Sequence, residues 1–173
     1  MKTALFLKGS AVAVVLAALM AGGCSSSVVQ VTATPDICRK SVEVHLVGVS
    51  RFEKEQWEQA SMSSYWTPGN PLRKSARDYT YVIRFGRDPN CKEIIRSDSP
   101  VRKMWRARNA EYMFILADLP GIFPDMPGNA DSRRLRLPVP ESKCWGMDQS
   151  EINISIESGN IVPLTIPTSK KCD

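Results

Sequence analysis

Ser41-Val42-Glu43-Val44-His45-Leu46-Val47-Gly48-Val49 begins by alternating apolar with polar side chains and then turns wholly apolar. Alternation at a period of two marks a β-strand with one face buried, because successive side chains leave opposite sides of the backbone. Outward from this stretch the pattern repeats. Tyr79 to Phe85 is a second run rich in β-branched and aromatic residues. Tyr112-Met113-Phe114-Ile115-Leu116-Ala117 is nearly all apolar, as a strand through the middle of a core must be. Arg134-Leu135-Arg136-Leu137-Pro138-Val139 alternates charge with aliphatic bulk, which predicts an exposed outer face. Pro138 has no N–H to give a ladder and predicts an edge or a strand end. Ile152, Ile154 and Ile156 alternate with polar neighbours, Ser158-Gly159-Asn160 turns the chain, and Ile161 to Ile166 returns as the second arm of a hairpin.

Two helices interrupt the strands. Ser50 with Glu53 is a capping-box pair and predicts a helix from Arg51 to about Gln59, with Phe52 and Trp57 as its apolar groups. Ser99-Pro100 is a cap followed by proline at the first helical position. The spacing then sets Val101, Met104 and Trp105 on one face, with Arg102, Lys103 and Arg106 largely on the other. The order of elements predicts a mainly β fold, a two-sheet β-sandwich with one or two short helical insertions.

The first 24 residues read differently. Lys2 and Lys8 accompany an unbroken apolar run of eleven residues, Ala11 to Ala21, with no acidic residue before Asp36. That length suits a signal-peptide core, whereas a membrane-spanning helix needs roughly 20 residues. Met20-Ala21-Gly22-Gly23-Cys24 follows, then Ser25-Ser26-Ser27. This resembles the lipobox of bacterial lipoproteins, with Ala21 where leucine is commonest. The resemblance implies that Cys24 is lipidated and becomes the N-terminus, and that Ser25, standing where Asp would retain the protein, directs it to the outer membrane. The expected division is residues 1–23 as signal peptide, 24–37 as a flexible stalk rich in Ser, Thr and Val, and 38–173 as a periplasmic sandwich.

Composition bounds the function. Without Lys2 and Lys8 the 23 basic residues become 21 against 18 acidic ones, so the mature charge is +3. That excess is too small, in an exported chain, for a nucleic-acid partner. Cys38, Cys91, Cys144 and Cys172 remain once Cys24 is set apart, an even number without CxxC spacing. Two disulfides are expected, with three connectivities open. A clasp between Cys38, before the first strand, and Cys172, after the last, leaves Cys91 for Cys144.

Catalytic patterns are missing from the sequence. His45 is the sole histidine, so a triad or a His-rich metal site has little material. Asp118, Asp125 and Asp131 flank a Pro/Gly-rich stretch at spacings that suit turns better than a calcium loop. The expectation is a binding protein without cofactor, metal or enzymatic activity. Trp57 to Arg73 gathers Trp57, Met62, Tyr65, Trp66 and Leu72 in a segment without strand periodicity. These residue types anchor protein interfaces, so Trp57, Tyr65, Trp66 and Leu72 are the expected partner-binding group. The other reading is that the tryptophans cap one end of the core. Arg102, Lys103, Arg106 and Arg108 read as a solvated helix face.

Taken in order, a lipobox and short stalk, a strand from Val42 to Val49, then Phe52, Trp57 and Ala60, a central Tyr112–Ala117 strand and a closing Ile152–Ile166 hairpin resemble the outer-membrane lipoproteins of the type VI secretion system, the TssJ-like family. The resemblance implies a transthyretin-like sandwich, a lipid anchor in the outer membrane facing the periplasm, and docking through loops onto a large inner-membrane component of the secretion apparatus. The four extra cysteines and Tyr65-Trp66-Thr67-Pro68-Gly69 depart from that pattern. A ligand- or solute-binding lipoprotein using the aromatic loops around Trp66 and Trp105 is the alternative.

Overall fold

Val28–Ala33 is a strand, not part of a stalk, and both of its edges are paired. This first strand, β1, runs antiparallel to β4 (Lys92–Ile95) and parallel to β7 (Glu151–Ile156), which in turn pairs with β8 (Ile161–Pro163). Val29 and Val31 are wholly buried, so the strand is part of the core. Residues 28–37 of the expected stalk therefore belong to the folded domain. The computed structural model describes residues 27–86, 90–146 and 149–168; the segment expected to be a signal peptide, Cys24 and Cys172 lie outside the described residues.

The second sheet has the order β3 (Thr80–Arg84), β2 (Glu43–Val49), β5 (Tyr112–Ala117), β6 (Arg134–Pro138), all antiparallel. Pro138 ends the edge strand, where its missing N–H matters least. The two sheets make the mainly β sandwich that the alternating strands predict. One face of β2, carrying Val44 and Leu46, belongs to the core between the sheets. The other carries His45 and Val47, which sit opposite Leu116 and Phe114 of β5. Burial on both faces explains why β5 reads as a continuous apolar run.

The covering on that second face is a run of short helices, more extensive than the sequence suggests. α2 (Lys54–Gln59), α3 (Met62–Tyr65) and α4 (Pro71–Ser75) follow β2 and lie on that face; elsewhere α1 (Pro35–Cys38) links β1 to β2 and α5 (Pro100–Ala107) joins β4 to β5. Two expectations fail for this reason. Arg134, expected on an exposed face, is 2% exposed because the α2–α3 segment lies over β6. On α5 it is Arg102 and Trp105 that are buried, while Met104 is 41% exposed, since Arg102 finds Glu141 and a backbone carbonyl beneath the helix. Phe52 also leaves its expected role: α2 starts at Lys54, and Phe52 sits in the preceding turn at 97% exposure. The capping pair does form, with Ser50 N–H and O–H donating to Glu53 at 3.1 and 2.6 Å.

Trp105 anchors α5. Its indole N–H donates to the Tyr79 carbonyl at 2.7 Å, and a Cβ on Gly48 would meet its ring at 2.3 Å. Gly48 is thus required by the close approach of a helix to a strand. No helix among the described residues is long and apolar enough to cross a membrane.

The strands define two ends. Ser27, the turn after β2, α5 and the segment after β8 gather at one; α1, the β5–β6 loop and the β7–β8 turn gather at the other. At this second end Cys38 bonds Cys91, with Cα atoms 5.3 Å apart, in place of the expected Cys38–Cys172 and Cys91–Cys144. The physical reason is topological. Cys38 and Cys91 stand in the two connections that cross between the sheets at this end, β1 to β2 and β3 to β4, and β1 neighbours β4 and not the last strand. Cys144 is disulfide-bonded as well.

Peptide mapping without reductant should recover the Cys38 and Cys91 peptides joined to one another. Replacing both by serine should lower stability by about 2–4 kcal/mol, measured by urea titration, because the bridge restricts the unfolded chain.

Candidate functional site

Trp57 and Tyr65 project from α2 and α3 onto the outer face of β2 and β5. Both are 1% exposed. Trp57 tilts against Phe114 at 6.0 Å between centroids, and Tyr65 meets Trp57 at 6.1 Å and Trp66 edge-on at 5.0 Å. Trp66 and Leu72 are partly buried against the same cluster. The four expected binding residues are therefore brought together, but as the apolar centre of the helical layer. Rings without exposed surface do not reach a partner, so Trp57 and Tyr65 are core residues in place of the expected docking anchors.

Beneath these rings lies a polar chain. His45 Nδ1 is 2.7 Å from the Tyr65 hydroxyl and its Nε2 is 2.8 Å from Glu43 Oε1. A carboxylate only accepts, so Nε2 carries the proton, and Nδ1 accepts from Tyr65. Glu43 also receives Arg73 at 2.5 Å and Arg84 at 2.9 Å. Burial pushes the Glu43 carboxyl up, but His45 and the two guanidinium groups outweigh it and hold it below its ordinary value. Burial dominates at His45 and lowers it, against the pull of Glu43. Hydroxyl, imidazole and carboxylate in line resemble a relay, yet the Tyr65 hydroxyl is enclosed and burial raises its pKa. It is a poor nucleophile in an inaccessible place. Between α4 and β2–β3 a cleft of about 310 Å³ opens, lined by Glu43, His45, Asn70, Arg73, Lys74, Arg77 and Arg84 among others.

A second cluster organises the loop between β5 and β6. Arg133 donates to Asp131 at 2.8 and 2.9 Å and to Asp125 at 2.6 Å. Asp125 also accepts from the Ser61 hydroxyl at 2.6 Å and the Ser63 N–H at 2.9 Å. Burial is the largest single influence and pushes the Asp125 carboxyl up, but these hydrogen bonds together outweigh it and hold the carboxyl well below the usual range. Two of the three carboxylates considered for calcium, Asp125 and Asp131, thus already have a cation, the guanidinium of Arg133. Arg133 also lies over the Phe123 ring at 5.7 Å. The effect is to hold the loop while Ile122 stands fully exposed at 103% and Met126 at 45%. Sequence reading passed over Ile122 as part of a turn; the available signal was a large aliphatic residue between Gly121 and Phe123 in a loop with no strand pattern.

No family model matches the chain, and no curated protein matches it. Solved structures do. A chain from a structure described as a type VI membrane complex superposes with a TM-score of 0.54 at 12% identity, covering 81% of this chain and 98% of that one. A chain from the structure of the T6SS protein TssM C-terminal domain (869–1107) from EAEC gives 0.54 at 14% identity, covering 80% and 99%. Lip from Serratia marcescens, a membrane-bound component of the type VI secretion system, gives 0.49 at 14% identity, covering 82% and 97%. At these identities what the first two share with this chain is the fold.

The buried imidazole makes a pH prediction. Its folded-state pKa lies below the ordinary 6.5, so the unfolded chain takes up the proton first as pH falls. Stability should be fully present above about pH 6.5 and decline below it. Urea midpoints between pH 7.5 and 5.5 should show this fall, and His45→Gln should flatten it.

Proposed function

We propose that this chain is an outer-membrane lipoprotein, anchored through Cys24, that serves as a docking component of a type VI secretion complex. The observation that carries the reading is the fold itself, shared over 98% and 99% of the length of solved chains from structures of type VI components. The lipobox-like Met20 to Cys24 supports export and anchoring, and Ser25 supports the outer membrane. The partner in this reading is a large inner-membrane component reaching into the periplasm.

The docking surface favoured is the loop carrying Ile122 and Met126, at the end of the sandwich remote from Ser27. An exposed aliphatic side chain on a loop held by ion pairs loses little entropy on binding. Trp66 and Leu72, partly buried against the core, keep some exposed surface and stay candidates for a minor share of the docking. The cleft beside Glu43 favours a second reading, a ligand-binding lipoprotein for a small anion, since Lys74 and Arg77 line it with no ion pair to Glu43. Its volume of about 310 Å³ is at the lower limit for such sites.

Cys24→Ser should abolish incorporation of a fatty-acid analogue; undiminished labelling would remove the anchor. Joint replacement of Ile122 and Met126 by Asp should weaken capture of the partner's periplasmic domain at least tenfold, about 1.4 kcal/mol, with the thermal melt unchanged. Tyr65→Ala should instead unfold the domain, at about 3–5 kcal/mol for a buried aromatic. Capture that survives the Asp replacements would move the docking site elsewhere.

A further inference from the structure

We propose that the Ser27 end of the sandwich rests on the bilayer itself, with Phe52, Met104 and Ile166 at the lipid head-group level. The inference deepens the anchoring reading and rests on lipidation of Cys24. Its basis is the length of chain between the lipid and the fold.

Ser27 is already part of the domain. It is 2% exposed; its hydroxyl donates to the Pro140 carbonyl at 3.1 Å, and its own carbonyl accepts from Arg102 at 2.6 Å. Arg102 is itself 1% exposed and bound to Glu141 at 2.7 Å, so the attachment point is fixed. From Cys24 to Ser27 there are three residue steps, which fully extended reach about 11 Å. Because Ser27 is buried, part of that reach only brings the chain to the surface. A domain held this closely cannot swing clear of the membrane, and the groups around its attachment point meet the head groups first.

Those groups suit that place. Phe52 is 97% exposed, Ile166 72%, Leu164 60% and Met104 41%, half of the large apolar side chains exposed among the described residues. All belong to the Ser27 end. Phe52 lies in the turn where Arg51 bonds Glu111 and Glu53 bonds Arg108; Met104 is on the exposed side of α5, the helix whose Arg102 holds Ser27; and Ile166 follows Thr165, whose hydroxyl bonds the Glu151 carbonyl next to the start of β1. Exposed apolar tips mixed with long basic side chains, here Lys103 and Arg106, are how a protein lies at a membrane interface. Charge attraction is the minor part, since Arg106 already pairs with Glu141.

The test uses the full, lipidated chain reconstituted into vesicles of phosphatidylethanolamine and phosphatidylglycerol. The lipid carries a diazirine close to the head group, and labelled peptides are mapped by mass spectrometry. Label is expected on the peptides containing Phe52, Met104 and Ile166 and not on that containing Ile122. A flexible Gly/Ser spacer of about a dozen residues after Ser25, with a reach of roughly 20 Å, should cut that labelling at least fivefold. Absence of lipid mass on the Cys24 peptide would overturn the anchoring reading and this one with it. A lipidated Cys24 with label confined to its own peptide would overturn this inference alone, leaving that face to a protein or a second copy. Label reaching Ile122, or labelling that the spacer does not reduce, would overturn it equally.

Discussion

The guanidinium group of Arg134 holds together parts of the molecule that would otherwise be loose. It is 2% exposed and donates to the carbonyls of Trp57 at 2.9 Å, Ala60 and Gly128 at 2.8 Å, and Met126. Burying a charge costs several kcal/mol unless its donors are satisfied. Here backbone carbonyls satisfy it, including those left free where α2 ends. Burial lowers its pKa, yet an arginine stays protonated at any physiological pH. One residue along, Arg133 does the same with carboxylates in place of carbonyls. Two successive arginines at the start of β6 thus fix both the α2–α3 segment and the β5–β6 loop.

The consequence is a three-layer domain in which the middle sheet is covered on both sides. Helices α2 to α4 would be marginal alone at four to six residues each. They persist because Trp57, Met62 and Tyr65 bury against Phe114 and its neighbours, and because Arg134 ties their carbonyls to the sheet. Rigid scaffolding beneath exposed loops is the arrangement in which loops carry binding. The polar chain of Glu43, His45 and Tyr65 belongs to the same arrangement and satisfies groups buried beneath the helices.

β2 and the β7–β8 hairpin, by their two-residue periodicity, and β5, by its continuous apolar run, were legible because burial on a sheet selects side chains directly. Val28-Val29-Gln30-Val31-Thr32-Ala33 has the same alternation, but behind a lipobox and among serines and threonines it reads as linker. Its partners come from residues 92–95 and 151–156, contacts that no local pattern announces. The cysteine pairing was hidden for the same reason. The aromatic segment was ambiguous in kind, since tryptophan and tyrosine serve cores and interfaces alike. What decides between them is the second apolar face of β2, where Val47 and Val49 require cover. Ile122 was illegible because proline and glycine around it satisfy a turn reading without reference to the isoleucine.

The position of β1 has a bearing on timing. Its hydroxyl-to-carbonyl bond from Thr32 to Ile154 closes a separation of 122 residues, and the pairing there is parallel. Contacts so distant in sequence must bring the ends of a long loop together before any of them is rewarded, and they place such folds among those that need milliseconds to seconds. The first strand to emerge from the ribosome is therefore among the last to be completed. Until β7 exists, an uncharged, proline-free strand waits with an edge open, a shape that invites pairing with other chains. β4 arrives earlier and can close one side only.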